Sequence, residues 1–168
     1  MKPVENEVPD REIDFPVNFI INTMPKAPSF SKIPSENDQI SYGRYLVNVA
    51  GCVDCHSQVD KGSIIKGTEF GGGMEFKQAA GVVRSPNLTS DRETGIGSWT
   101  EAMFLTRFQA YTDSNFIKQE LPADELNTPM PWTMYAGMKP SDLKAINAYL
   151  KSIKPISNRV ERTVNAKF

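Results

Sequence analysis

The run Cys52-Val53-Asp54-Cys55-His56 constrains this chain most, because it holds both cysteines and the only histidine of the 168 residues. C-x-x-C-H is the attachment sequence of c-type haem. Two thiols three residues apart on one helical turn can each add to a vinyl group of the same porphyrin. The imidazole of the next residue then lies beneath the iron as an axial ligand. We therefore predict one covalent haem c, held by Cys52, Cys55 and His56.

Three other uses of a C-x-x-C pair fit this chain less well. A thioredoxin-type redox pair needs a βαβ context, which the sequence lacks, and it gives His56 no role. A structural zinc site needs four protein ligands, and there is no second Cys or His cluster. A disulfide between Cys52 and Cys55 would close a very small loop and stabilise little. Covalent haem is the interpretation that uses all three residues.

Composition excludes several other classes of protein. Apolar residues make up 39% and charged residues 23% of the chain, the balance of an ordinary globular protein. The net charge is −1 and there is no basic run, so we expect no nucleic-acid partner. No stretch approaches 18 apolar residues, the minimum for a membrane span. The first residues, Met-Lys-Pro-Val-Glu-Asn, lack the apolar core of a signal peptide.

The chain is predicted to have three parts. Residues 1–35 hold six of the twelve prolines, which rules out a long helix and predicts an extended arm. The arm has an apolar cluster, for which packing on the domain's own surface is favoured over a docking strip or a tether. Its members are Phe15, Val17, Phe19, Ile20 and Ile21. Residues 36–155 are predicted to form the haem domain, and residues 156–168 a C-terminal tail.

Helical patterns bracket the domain. From Ser35 onwards a helical pattern recurs at three- and four-residue steps, at Ile40, Gly43, Leu46 and Val47. Gly43 is costly inside this first helix. It indicates either the close approach of another helix or a simple helix irregularity. The last helix is predicted from near Ser141 to about Lys151, with Leu143, Ile146, Tyr149 and Leu150 as its inner face, and Pro155 ends it.

Between these helices we predict loops and one further helix. Residues 57–97 carry eight of the eleven glycines, including Gly71-Gly72-Gly73, which is interpreted as a flexible turn and not as a phosphate-binding loop. Ser98 and Glu101 have the spacing of a capping box. The helix that they would begin has Phe104, Phe108 and Tyr111 on one face.

Several short motifs resemble class I cytochromes c, in particular the cytochrome c subunits of membrane-bound alcohol and sugar dehydrogenases. Besides Gly43-Arg44-Tyr45-Leu46 and the haem motif, they come in that family's order over about residues 40 to 155. They are Ser85-Pro86-Asn87-Leu88-Thr89, Gly95-Ile96-Gly97-Ser98-Trp99, Met130-Pro131-Trp132, and Asp142-Leu143 with Ala148-Tyr149-Leu150. The resemblance implies an all-α class I cytochrome c fold of three to four short helices, with Gly43 and Tyr149 at the crossing of the first and last helices.

The resemblance also implies roles for particular side chains. Trp99 would donate its N–H to a haem propionate, although it is also compatible with a plain core aromatic. Arg84 and Asn87 are further candidates for propionate contacts. Members of the family often have a proline soon after the ligand histidine, but here Ser57-Gln58-Val59-Asp60 follows. Some backbone oxygen should still accept the Nδ1 proton of His56, and the sequence does not identify it.

The second axial ligand is expected to be a methionine, because the cysteines and the histidine are already used. Met130, Met134 and Met138 lie before the last helix. Their spacing is also typical of a methionine stripe that packs a helix, which suits Met134 and Met138 if Pro131 begins a short turn. Met130 stands between two prolines that stiffen its loop, and Met-Pro here matches where the family places its ligand. We predict iron ligation by His56 and Met130.

These residues predict a one-electron carrier in a respiratory or dehydrogenase-linked chain, not an enzyme in its own right. The alternative is a haem enzyme or a ligand-binding sensor with an open axial site. The resemblance implies a dehydrogenase or quinol-oxidising donor, an oxidase as acceptor, and a periplasmic position or one on the outer face of the cytoplasmic membrane. Residues 1–6 carry no export signal, so we expect a targeting segment or membrane anchor upstream, with the arm as its spacer.

Overall fold

A computed structural model describes residues 15–21, 23, 32–112 and 125–165. The chain divides into two compact units, Met1–Lys32 and Ile33–Phe168. In the first unit, helix α1 covers Val17–Ile21, and the rings of Phe15 and Phe19 meet edge to face at 6.4 Å. The described residues of the arm therefore include a short helix, and the packing of its apolar cluster on the domain stays a prediction.

The second unit begins its regular structure with helix α2, Gln39–Val49. Asp38 caps this helix, because its carboxylate accepts a hydrogen bond from the backbone N–H of Ser41 at 3.1 Å. Gly43 and Val47 form its buried face. Ile40 was expected on that face, but it is exposed. The buried stripe is thus narrower than the sequence pattern indicated.

Helix α6, Pro140–Ser152, crosses α2 at Gly43. A Cβ atom added to Gly43 would lie 2.9 Å from the Cβ of Tyr149 and would overlap the backbone carbonyl of Ala145. The predicted close approach at Gly43 is confirmed. The inner face of α6 supplies Leu143, Ile146 and Leu150, all buried as expected.

Helix α4 spans Glu101–Gln109, and its cap differs from the predicted one. Thr100, not Ser98, is the N-cap, and its hydroxyl accepts from the N–H of Met103 at 3.1 Å. A turn closed by the N–H of Trp99 and the carbonyl of Ile96 delays the start of the helix. The predicted apolar face is present, since Phe104 is buried and its ring centroid lies 5.1 Å from that of Phe108.

Two small antiparallel sheets were not anticipated by the all-α prediction. The strands β1, Val59–Asp60, and β2, Ser63–Ile64, form one hairpin. The other sheet has the order β3-β4-β5 and consists of Glu75–Gln78, Gly81–Arg84 and Thr163–Asn165. Strands of two to four residues are too short to show an alternating pattern. The segment predicted as a tail supplies β5 and so belongs to the second unit.

The core lies among α2, α4 and α6 and extends to the haem motif. Its buried members are Val47, Phe70, Ile96, Phe104, Ile146 and Leu150. Cys52 and Val53 pack against it and are partly buried. Two further helices, α3 at Cys52–Cys55 and α5 at Trp132–Tyr135, are single turns at the site. Within the described parts of the chain, no helix is both long and apolar enough to cross a membrane.

Candidate haem site

The haem motif occupies a separate helical turn directly after α2. Gly51 has a φ of 63°, the left-handed conformation that ends one helix and lets α3 begin at once. The N–H of His56 donates to the carbonyl of Cys52 at 3.0 Å, which closes the turn. One turn therefore presents Cys52, Cys55 and His56 together, as covalent attachment requires.

His56 is buried and held through one ring nitrogen. Nδ1 of His56 lies 2.9 Å from the carbonyl oxygen of Pro86, 30 residues further along the chain. A carbonyl can only accept, so Nδ1 carries the proton and the lone pair is on Nε2. None of the described residues forms a hydrogen bond with Nε2. This identifies the acceptor that the sequence left open, and it leaves Nε2 available to iron.

Burial also favours the protonation state that binds a metal. Desolvation lowers the pKa of His56, and Arg162 lowers it further, while the hydrogen bond to Pro86 acts in the opposite direction. A neutral imidazole is the form that ligates metals. His56 is therefore ready to act as an axial ligand.

Both cysteines are free thiols. Burial raises the pKa of the Cys52 thiol to about 11, so this group is not the activated thiolate of a redox pair. Among the described residues, no group of three or more His, Cys, Asp or Glu side chains could hold a metal ion. These findings disfavour the redox-pair and zinc interpretations in the part of the chain that the structure describes.

The three glycines 71–73, which were interpreted as a flexible turn, lie in a closely packed loop. A Cβ on Gly72 would lie 2.5 Å from the carbonyl carbon of Pro86, so the loop packs tightly against the segment that carries the histidine's acceptor. The N–H of Gly72 donates to the carbonyl of His56 at 2.8 Å. A run of glycines is the one sequence signal that could have indicated this close approach.

The three candidate methionines have different surroundings. Met130 is partly buried, just before α5. Met134 is 77% exposed, so it is not part of a packing stripe. Met138 is partly buried and packs against the core. The stripe interpretation therefore suits Met138 alone, and ligation by Met130 stays a prediction.

Trp132 fixes the segment that follows Met130 onto α4 and the residues after it. Its indole stacks on the ring of Tyr111 at 5.0 Å with an angle of 6° between the planes, and it meets Phe108 edge to face at 5.4 Å. The guanidinium of Arg107 lies 4.5 Å from the indole centroid. The indole Nε1 is buried and forms no hydrogen bond with any of the described residues. The sequence motif did not reveal this anchor, because its partners lie on another element.

A second contact holds α5 beside the haem motif. The hydroxyl of Tyr135 donates to the carbonyl of Ala50 at 2.8 Å, at the C-terminal end of α2. Burial raises the pKa of Tyr135, and the neighbouring Cys52 and Cys55 add to this shift. The methionine segment and the haem motif are thus close in space although they are far apart in the sequence.

The three predicted propionate contacts are placed differently. Trp99 packs partly buried against the core, and its indole N–H has no hydrogen bond to a described residue. Arg84 donates through Nε and Nη2 to Glu75 at 2.9 and 2.8 Å, across the β3–β4 pair. Asn87 donates to Thr94 and to the carbonyl of Ile156. Of the three, only Trp99 has a side-chain donor without a hydrogen bond to a described residue. All three propionate contacts stay predictions.

Together these groups fit haem c. The structure offers two free thiols on one turn and a buried imidazole of His56. Neither Nε2 of His56 nor the buried indole N–H of Trp132 forms a hydrogen bond with a residue that the structure describes. A buried donor without an acceptor costs about 1–3 kcal/mol, so the Trp132 N–H is open to an acceptor on a bound group.

Known proteins give an independent comparison. No protein-family model matches the chain. It is 31% identical over 119 residues to the gluconate 2-dehydrogenase cytochrome c subunit of Pantoea cypripedii, covering 70% of this chain and 24% of that protein. It is 26% identical over 121 residues to the alcohol dehydrogenase (quinone) cytochrome c subunit of Gluconobacter oxydans, covering 70% and 22%. The fructose dehydrogenase cytochrome subunit of Gluconobacter japonicus matches at 28% over 120 residues, covering 70% and 22%.

These relatives confirm the resemblance to cytochrome c subunits of alcohol and sugar dehydrogenases. The chain spans less than a quarter of the length of these relatives. The relatives are cytochrome subunits by name, and they support a c-type cytochrome with covalently bound haem.

Proposed function

We propose that this relative of dehydrogenase cytochrome c subunits is a c-type cytochrome with one haem, and that it carries one electron at a time. The observation that carries the proposal is the geometry of His56, which is buried, hydrogen-bonded through Nδ1 to Pro86, and positioned on the same turn as two free thiols. When bound, the haem supplies an iron that alternates between the ferric and ferrous states. The count of one haem rests on the single C-x-x-C-H motif.

The chain's own residues determine what such an iron could do. His56 and Met130 would occupy both axial positions and leave no open position for dioxygen or peroxide. A thioether ligand favours the ferrous state and raises the reduction potential. Support for Met130 comes from its place between Pro129 and Pro131 and from the anchoring of Trp132. Trp99 is proposed to donate its N–H to a propionate.

The partners are proposed from the relatives. Their names describe subunits of gluconate, alcohol and fructose dehydrogenases, so a dehydrogenase is the proposed donor of electrons. An oxidase is the proposed acceptor. The proposed place of action is the periplasm or the outer face of the cytoplasmic membrane, where haem is attached to such motifs.

Covalent attachment of one haem is tested by mass. The protein is produced in cells that can attach haem, is denatured, and its intact mass is measured together with its haem content. We expect the polypeptide mass plus one haem, and a single reversible one-electron wave in voltammetry. A mass equal to the bare polypeptide would refute the proposal, and vigorous peroxide turnover by the intact protein would refute the carrier role.

The sixth ligand is tested with a matched pair of variants. Met130→Ala should abolish the sulfur-to-iron charge-transfer band of the ferric protein and allow carbon monoxide to bind the ferrous form. Met134→Ala is the control, because that side chain is 77% exposed and should leave both properties unchanged. Met138→Ala should lower stability through lost core packing without loss of the band. The assignment is wrong if Met138→Ala loses the band while Met130→Ala keeps it.

A further inference from the structure

We propose that Gly72 is a positioning residue that fixes the hydrogen bond between His56 and Pro86 and thereby sets the reduction potential of the iron. The inference rests on the proposed function, since it takes His56 as an axial ligand. Its basis is that the glycine loop, residues 71–73, contacts both His56, which donates this hydrogen bond, and Pro86, which accepts it.

Two successive backbone N–H groups hold the two sides of the hydrogen bond together. The N–H of Gly72 donates to the carbonyl of His56 at 2.8 Å. The N–H of Gly73 donates to the carbonyl of Ser85 at 2.9 Å, one residue before Pro86. The loop therefore connects the segment that carries Nδ1 to the segment that carries its acceptor.

The space at Gly72 admits only a hydrogen atom. A Cβ there would lie 2.5 Å from the carbonyl carbon of Pro86 and 2.6 Å from its oxygen, the atom that accepts from Nδ1. Carbon atoms pack at about 3.5 Å or more, so the carbonyl would have to move by about 1 Å. A shift of that size would lengthen or misalign the hydrogen bond between Nδ1 and that oxygen, whose distance is 2.9 Å.

The loop itself cannot easily move away to make room. The N–H of Phe70 donates to the hydroxyl of Ser57 at 3.2 Å, and the carbonyl of Phe70 accepts from the N–H of Leu88 at 2.8 Å. The N–H of Met74 donates to the hydroxyl of Ser85 at 3.1 Å. Hydrogen bonds thus hold the loop at both ends to the segments on either side. A Cβ at Gly72 would therefore displace the Pro86 carbonyl and not the loop.

A weaker hydrogen bond at Nδ1 has a defined effect on the iron. Donation from Nδ1 to a carbonyl makes the imidazole more basic, which stabilises the ferric state. Loss of that donation should therefore raise the reduction potential, although both iron ligands stay the same. A substitution that merely loosened the fold would lower stability without this directed shift.

The experiment compares Gly72→Ala with Gly67→Ala in the haem-loaded protein. Both glycines have positive φ, 73° and 89°, but a Cβ on Gly67 meets nothing within 4 Å. We expect the midpoint potential of Gly72→Ala to rise. The redox equilibrium constant should change by up to tenfold, which corresponds to 59 mV for one electron. The Nδ1 proton resonance of the ferrous form should shift and exchange faster with solvent. Gly67→Ala should match the wild type in both measurements.

A second variant keeps the inference testable if Gly72→Ala yields no haem-loaded protein. Ser85→Ala removes the acceptor for the N–H of Met74 and adds no atoms, so its potential should rise in the same direction by less. Unchanged potentials and Nδ1 resonances in the variants that load haem would overturn the inference. If the wild type itself lacks covalent haem or a reversible wave, the proposed function fails instead.

Discussion

Substitution of Gly43 by alanine tests the helix crossing on which the domain depends. In an isolated helix this change would stabilise by about 1 kcal/mol. Here the new Cβ would lie 2.6 Å from the carbonyl carbon of Ala145 and 2.9 Å from the Cβ of Tyr149. The nearest atoms belong to the backbone, which cannot rotate away as a flexible side chain could. The helices α2 and α6 would therefore have to separate by about 1 Å to restore ordinary contact.

The expected result is a net loss of stability. Overpacking of this kind costs about 1–3 kcal/mol, and contact with backbone places it near the upper end. After the gain in helix propensity, we expect the free energy of unfolding to fall by about 2 kcal/mol. The assay is equilibrium unfolding of the haem-loaded protein in urea, followed by circular dichroism.

Gly137→Ala is the matched control for this measurement. A Cβ at Gly137 would meet the carbonyl oxygen of Met134 at 3.7 Å, an ordinary contact. We expect a change within about 0.5 kcal/mol, as for most surface substitutions. A Gly43→Ala variant as stable as the wild type, or more stable, would refute the reasoning from the crossing.

Two further predictions concern Trp132 and Asp91. Trp132→Ala should cost about 2–3 kcal/mol in urea unfolding and weaken the charge-transfer band of the ferric protein, because the loop after Met130 loses its aromatic contacts; an unchanged band would contradict the anchoring role. Hydrogen bonds from Thr94 lower the pKa of Asp91, so its contribution to stability is present above the unfolded pKa of about 3.9 and disappears as the pH falls through the folded value. The urea midpoint of the wild type should therefore exceed that of Asp91→Asn at pH 6, and the two should match at a pH below the folded pKa of Asp91. An equal difference at both pH values would contradict this role of Asp91.

Local chemistry was predictable from the sequence, and distant partners were not. The haem motif is a contiguous run, and Gly43 is a helix-breaking residue whose position in a helix required a reason; the structure confirms the close contact there. The Pro86 acceptor could not be predicted, because every residue has a carbonyl and only the tertiary fold selects one. The same holds for the contacts of Trp132 with Arg107.

A helix cap and several short strands were also not predicted correctly. Ser98 and Thr100 both have hydroxyls that can cap a helix, and the turn at Ile96 to Trp99 decided between them. The sheet that includes β5 joins residues about 80 positions apart, such as Val82 and Val164, and short strands of this kind leave no periodic signal.

The acceptor for His56 lies 30 residues away from it, whereas the attachment motif is five consecutive residues. Thioether formation therefore needs only a short stretch of chain and is compatible with an unfolded polypeptide. The hydrogen bond at Nδ1 is different, since its acceptor comes from a distant segment and is in place only in the folded chain. A newly loaded chain would thus carry its cofactor before it acquires its final potential, and refolding followed by voltammetry would separate these two stages of maturation.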